Sequence, residues 1–367
     1  MSASASGAGC AVLITGGAGF VGTNLAARLM ERGERVRIFD SLDRAGSEKN
    51  LAWLSERYGE QMRFIHGDVR NASALDAALH GIEHVVHLAA QVAVTSSLTS
   101  PAFDFDVNAF GTLNLLEALR RCPQAPSLLF TSTNKVYGTL DDLVLEAHAT
   151  RYMPVDRHTQ LRGINEGRHL DFHSPYGCSK GAADQYVLDY SRGYGLRTAV
   201  FRMSCIYGPH QFGNEDQGWV AHMARNALGG EPITIYGDGM QVRDVLFVDD
   251  LLDAFDCARR AMPALSGQAF NIGGGPTNTT SVVELIGRLE TQLNHPIDVS
   301  YGAWRIGDQR YYVSDTSRFE AATGWHPRVS VDEGTANLCE WLRASALLAL
   351  RPTEPTTAAM QFSGATR

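Results

Sequence analysis

The sequence predicts an α/β protein, a doubly wound parallel sheet joined to a smaller C-terminal α/β lobe. Two observations predict it. From residue 10 to about 203, near-continuous apolar runs alternate with helical stretches, the pattern of strands buried on both faces. After residue 203 the rhythm changes: Gly and Pro become denser, and shorter strands mix with helices.

In chain order, the runs AVLIT (11–15), VRIFD (36–40), RFIHGD (63–68), HVVHLAA (84–90), SLLFTST (127–133) and RTAVFR (197–202) read as buried strands. Beyond them come the turn-rich stretches YGPHQFGNEDQG, YGDG, NIGGGP and GWHP. The strands ITIY, AFNIG and IDVSY and helices near 217–229, 281–292 and 331–349 are expected to form the second lobe. Without an internal repeat or a long linker, residues 10–203 and 204–349 are expected to share one body, with some chain crossing and a cleft between them. Residues 1–9 and 350–367 read as disordered tails.

Composition narrows the function. Of 367 residues, 44% are apolar and 20% charged, enough for a large core. The net charge of −8 comes without a run of Lys or Arg, so nucleic acid is not an expected partner. An anionic substrate would have to be held by a few placed arginines. The six cysteines form no CxxC pair and show no metal-ligand spacing with His, which predicts free thiols and no metal. No apolar run approaches the ~20 residues of a membrane span. The start MSASASGAGC lacks the features of a secretory signal. The expected location is the cytoplasm.

The first strand runs into Thr15-Gly16-Gly17-Ala18-Gly19-Phe20-Val21-Gly22, a GxxGxxG turn between strand and helix. Glycine there permits a tight turn and lets amides approach a pyrophosphate at the helix N-terminus. This spacing differs by one residue from the GxGxxG fingerprint of a Rossmann-type dinucleotide site, and its context on the strands that follow strengthens it. Strand two ends at Asp40, about 20 residues on, where a carboxylate binds the adenosine ribose diol and repels a 2′-phosphate, so NAD is expected rather than NADP. Arg44 argues the other way, because it could pair with that phosphate. Strand three ends in Gly67-Asp68-Val69 and strand four in Leu88-Ala89-Ala90, at the strand ends where such ligands sit.

Tyr176-Gly177-Cys178-Ser179-Lys180 places Tyr and Lys on one helix face. An ammonium beside the phenol, together with the positive nicotinamide ring, is expected to lower its pKa from the usual ~10 and make it a usable base. Strand five supplies Ser132 and Thr133 at its end, hydroxyls suited to a sugar oxygen.

With TGGAGFVG, HLAAQ, DVNAFGT, the hydroxyl-rich strand end before VYG, and YGCSK, the chain from about residue 10 to about 345 resembles the extended short-chain dehydrogenase/reductases of the NAD-dependent epimerase/dehydratase family. The resemblance implies bound NAD and a catalytic triad of Thr133, Tyr176 and Lys180. It implies Gly16, Gly19 and Gly22 at the pyrophosphate, Asp40 at the ribose, Asp68 and Val69 at adenine, and Asn108 as a support behind the triad. Phe20, Val21, Leu88, Ala89, Ala90, Thr131 and Met203 complete the implied cofactor contacts, with Asn108, Tyr176 and Lys180 counted among them. Dehydratases of the family typically carry an acid directly after the triad Thr. Asn134-Lys135 stand there instead, and an amide cannot protonate a leaving hydroxyl.

Longer stretches resemble the CDP-paratose 2-epimerases: TSTNKVYG, an insert of about 35 residues, LDFHSPYGCSKGAADQY, QFGNEDQGWV, QVRDVLFVDD, AFNIGG and GDQR-YYVSD. They imply an isomerase that inverts C2 of a CDP-hexose through a transient 2-keto sugar with NAD tightly bound. His210 departs from this pattern, where Arg would be expected. Implied substrate contacts are Gln91, Thr133, Asn134, Lys135 and Gln217, with Arg243 and Arg305 forking onto the diphosphate. Arg310 is a weaker candidate. The plainer readings are ion pairs of Arg243 with Asp244 and of Arg305 with Asp308, a solvated Lys135, a packed His173 and an inert Cys178. The close alternative is a UDP-hexose 4-epimerase, the remote one a non-catalytic NAD-binding protein. Apolar stripes on helices 101–121 and 176–194 (Phe103, Val107, Phe110, Leu113, Leu116–Leu119), which pair across a two-fold axis in this family, imply a homodimer or homotetramer.

Overall fold

The computed structural model describes residues 12–305 and 307–349; the expected tails lie outside these residues. Its centre is a seven-stranded sheet, parallel throughout. The strands are β1 (Val12–Thr15), β2 (Val36–Asp40), β3 (Met62–His66), β4 (His84–His87) and β5 (Ser127–Thr133). After the hairpin β6 (Leu145–His148) and β7 (Arg151–Pro154) comes β8 (Thr198–Met203). The second lobe adds β9 (Cys205–Tyr207), β10 (Ile233–Tyr236) and β11 (Val242–Phe247), then β12 (Gln268–Ile272), β13 (Thr279–Ser281), β14 (Val299–Gly302) and β15 (Tyr311–Tyr312). The central order is β3-β2-β1-β4-β5-β8-β12. β1, β4 and β5 are buried along their whole length, as their unbroken apolar runs require.

Each face of the sheet carries its own core. One is covered by helices Phe20–Glu31, Ser47–Tyr58 and Val248–Leu265 through Leu25, Leu29, Leu54, Leu251 and Phe255. The other is covered by helices Ala72–Ala78, Gly111–Arg121 and Ser174–Tyr194 through Leu75, Leu115, Leu119 and Val187. Leu116 and Leu119 therefore pack into their own core, and the apolar side chains left exposed on this face include Phe103, Phe105, Phe110, Tyr186 and Tyr194. The expected continuous helix 101–121 is interrupted by a π-helical turn, Asp106–Phe110, a distortion common at functional sites.

The division near residue 203 needs one correction. AFNIG, expected in the second lobe, lies in β12 and pairs with β8 from Gln268↔Ala199 to Ile272↔Met203. Phe270 and Ile272 are apolar and fully enclosed, so this strand belongs in the central core. The chain leaves after β8, builds part of the second lobe and returns through helix Val248–Leu265 and β12. In the second lobe, β11 joins β9, β13 and β15, β10 pairs with β14, and helices Trp219–Gly229, Val282–Leu293 and Val331–Ala349 cover one core. The insert is the β6–β7 hairpin and helix Arg157–Arg162. It braces both lobes: Arg151 pairs with Glu284, Ile164 bridges Ser314, and the Asn271 amide donates to Glu166 at 2.7 Å.

Candidate active site

The carboxyl ends of β1, β2, β4, β5 and β8 open into one cleft of about 830 Å³. At its first-lobe end lies the glycine turn. Gly16 has φ +70°, and a Cβ there would stand 2.7 Å from the Ala89 amide nitrogen. A Cβ on Gly22 would meet Gly16 O at 2.4 Å and Gly17 Cα at 2.6 Å. Backbone packs on backbone, and side chains are absent because there is no room for them. Gly19 caps helix Phe20–Glu31 without a side-chain hydrogen bond, leaving first-turn amides for an anion. The Asp40 carboxylate accepts from the amides of Ala18 (2.9 Å) and Leu42 (2.8 Å). Burial pushes its pKa up and those two amides pull it back. A concave, amide-lined turn with a carboxylate beside it fits a dinucleotide.

Gly16, Gly19, Phe20, Val21, Asp40, Asp68, Val69, Leu88, Ala89, Ala90, Thr131 and Met203, among the implied cofactor contacts, all line this cleft. Asp68 is paired with Arg70 at 2.6 Å, which holds its carboxyl below the usual range. Arg44 reaches across the cleft to the Gln217 side-chain oxygen.

Thr133, Tyr176 and Lys180 face the same cleft. Thr133 stands close enough to the Tyr176 phenol to lower its pKa, and Lys180 Nζ donates to Thr131 O at 2.7 Å. The Lys180 ammonium lies 4.2 Å from the centroid of the Phe130 ring. The expected lowering of the tyrosine pKa is not what the protein alone produces. Burial pushes the Tyr176 phenol up to about 12 and the Lys180 ammonium down to about 7. Desolvation penalises both charged forms; for Tyr176 it outweighs the lowering by Thr133, and for Lys180 it outweighs the raising by the Asp184 and Asp104 charges.

Asn108 does not line the cleft; its side chain is buried behind it, on the π turn. Its Oδ1 accepts from the Gln91 amide at 2.9 Å, and its Nδ2 donates to Gln91 O (3.0 Å), Ser179 Oγ (3.1 Å) and Asp104 Oδ1 (3.2 Å). Ser179 also donates to Asp104, which no sequence motif singled out. This node ties the β4 end to the helix that carries Tyr176 and Lys180. Asn108 therefore supports the site from behind and does not itself line the cleft, unlike the other implied cofactor contacts.

Gln91, Asn134, Lys135 and Gln217, the implied substrate contacts, line the cleft; Arg243 and Arg305 do not. Arg243 donates to Val242 O at 2.8 Å and to Asp308 Oδ1 at 2.6 Å. Arg305 donates to Glu215 O at 2.7 Å and lies over the Tyr236 ring at 3.9 Å. Both guanidinium groups are engaged within the protein, Arg243 by Asp308 rather than by its neighbour Asp244, and Arg305 without a direct pairing to Asp308. Asp308 is a second residue that sequence spacing did not bring to Arg243. Lys135 Nζ points to Gly307 O at 3.5 Å and lies 4.0 Å from Asp308 Oδ1. Burial and the Arg243 charge lower its pKa to about 8. His210 has φ +64°, packs 4.2 Å from the Trp53 ring centroid, and is held neutral by burial at about 4. His173 pairs with Asp171 outside the cleft, and Cys178 is exposed. Among the described residues there is no metal-ligand cluster and no helix long and apolar enough to cross a membrane.

The sequence model of the NAD dependent epimerase/dehydratase family matches residues 12–273. The chain is 42% identical over 337 residues to the CDP-paratose 2-epimerase of Salmonella typhi, covering 90% of this chain and 98% of that protein. It is 33% identical to the UDP-glucose 4-epimerase of Mycolicibacterium smegmatis, with the same two shares. The solved structure of Thermus thermophilus UDP-glucose 4-epimerase in complex with NAD matches with a TM-score of 0.76 and 30% identity, over 91% of this chain and 99% of that one.

Proposed function

The chain belongs to the NAD dependent epimerase/dehydratase family, and on that premise we propose that it inverts C2 of a CDP-hexose, the CDP-paratose to CDP-tyvelose type of reaction. One observation supports epimerisation over elimination. The cleft holds the complete triad Thr133, Tyr176 and Lys180, followed by the neutral Asn134 and cationic Lys135 where an acid would be needed to expel water. The base and the carbon are suggested by the 42% identity with the Salmonella typhi protein. The amide-lined turn of Gly16–Gly22 and Asp40 would hold NAD.

Bound NAD supplies a hydride acceptor and donor at the sugar carbon. Tyr176, as phenolate, takes the proton of the C2 hydroxyl. Thr133 orients that oxygen, and Lys180 stabilises the phenolate. Burial pushes the phenol up to about 12 in the protein alone, and the positive charges of Lys180 and of a bound nicotinamide ring would favour its phenolate. The flat 2-keto sugar turns over in the cleft, and Tyr176 returns the proton to the oxygen after reduction of the other face. No net redox occurs.

Purified protein incubated with CDP-, UDP- and GDP-sugars in D₂O should yield a product inverted at C2, read by NMR, with no deuterium at that carbon. Denaturing the protein should release NAD without prior supplementation. Inversion at C4 of a UDP-hexose, or deuterium at the inverted carbon, would overturn the reading.

Phe103 (40% exposed), Phe105 (54%) and Phe110 (45%) project from the same layer of helices as Tyr186 (47%) and Tyr194 (55%). Apolar surface of this kind is usually covered, and we assign it to a second copy of the chain. Light scattering at micromolar concentration should give a dimer or a dimer of dimers. A monomer would refute the assignment.

A further inference from the structure

Lys135 carries a charge that the protein leaves poorly matched. Its amine has one hydrogen-bond acceptor at 3.5 Å, Gly307 O, and a carboxylate oxygen at 4.0 Å, Asp308 Oδ1. That same oxygen is already taken at 2.6 Å by Arg243. Two cations share one carboxylate, so the cluster has a net charge of about +1 in a largely enclosed site. A partly buried cation without a close partner is unfavourable in the empty protein and favours a second anion.

Its place in the chain matters as much as its charge. Lys135 sits on the 3-10 turn Asn134–Tyr137 that follows β5, and its own amide donates to Thr133 Oγ1 at 3.2 Å. The ammonium is therefore tied to the triad strand, whereas Arg243 enters from β11 of the second lobe. The cleft thus has an anion-seeking group on the triad's own turn.

We propose that Lys135 binds the sugar-proximal phosphate of the substrate, between the triad turn and Arg243, and thereby selects C2 as the reacting carbon. The proposal rests on the reading of this cleft as a nucleotide-sugar site. In a sugar nucleotide the proximal phosphate is joined through oxygen to C1. C2 is the neighbouring carbon, whereas C4 lies across the ring. A cation held at the triad brings the anomeric end close to Tyr176 and presents the C2 hydroxyl to it. A diphosphate held only by second-lobe arginines would leave the far side of the ring, with C4, pointing at the triad. Asp308 would then serve as the placeholder that keeps Lys135 and Arg243 apart until the phosphate arrives.

The test is titration calorimetry of the NAD-loaded chain and its Lys135→Met and Lys135→Arg variants with CDP, UDP, CMP and UMP. Met keeps the length of the side chain and removes the charge. In Lys135→Met the diphosphate that binds wild type best should lose about tenfold or more in affinity, the size of one charge-assisted contact. The matching monophosphate should change little, because it lacks the proximal phosphate. Lys135→Arg should retain most of the diphosphate affinity. NAD content and melting temperature of each variant report whether it has folded. Equal weakening of mono- and diphosphate, or no weakening of either, overturns the proposal. Failure of wild type to bind any of the four overturns it together with the proposed function. If the split is found but no CDP-sugar is inverted at C2, the function fails and the phosphate contact stands. If C2 is inverted and the split is absent, the function stands and the proposal fails.

Discussion

Replacing Tyr176 by Phe should lower kcat by at least ~10², the usual scale of general-base catalysis. The substitution removes one oxygen and little volume. Its backbone amide still donates to Ser97 Oγ at 3.2 Å, and Lys180 still holds Thr131 O. Fold and NAD content should survive, so the loss falls on the chemical step. The histidine nearest in sequence, His173, lies outside the cleft, paired with Asp171. Lys135 lines the cleft, but its amine is turned toward Asp308. The rate should be measured on the sugar nucleotide that wild type inverts, per NAD-loaded site. Turnover at the wild-type rate would remove Tyr176 from the mechanism and leave Lys135 as the group to examine next.

Gly22→Ala should empty the cofactor site. The added methyl would lie 2.4 Å from Gly16 O and 2.6 Å from Gly17 Cα, both backbone atoms of the turn. Neither can move without opening the turn, because Gly16 N is hydrogen-bonded to Phe39 O at 2.8 Å. Overpacking of this kind costs about 1–3 kcal/mol. Most of it should appear as lost NAD affinity, since the first helical turn is the place proposed for the pyrophosphate. Chromatography of the denatured protein should find NAD reduced about tenfold or more, with a modest fall in melting temperature. Full NAD occupancy at an unchanged melting temperature would show that the cradle is not the binding element.

What was legible in the sequence is what is local. The glycine turn, Asp40 twenty-odd residues later, and the YxxxK spacing each sit on one element or on two adjacent ones, and the structure brings them to one cleft. Asp104 and Asp308 were not legible, because each acquires its role from a partner far along the chain: Asp104 from Ser179, Asp308 from Arg243. The π turn that sends Asn108 inward has no periodicity of its own and reads as ordinary helix. The burial of Tyr176 was not legible for a different reason. Spacing shows which charged group stands four residues from a phenol, and only the folded chain shows the burial that raises the pKa of that phenol. The AFNIG strand looked like a second-lobe element because order along the chain does not reveal which sheet edge a strand completes.

That returning strand also decides what the protein can be divided into. A fragment ending near residue 203 would lack β12 and leave β8 as a bare edge, with its row of unpaired amides and carbonyls open to another chain. It would also lose helix Val248–Leu265, which covers Leu129 and Phe201 of the central sheet. The first lobe is thus complete only when the second has been built and the chain has come back. A nucleotide-binding half of this protein is not a detachable module. A graft that exchanges the substrate lobe for another specificity must leave 248–272 in place, or the part meant to stay unchanged will be the part that aggregates.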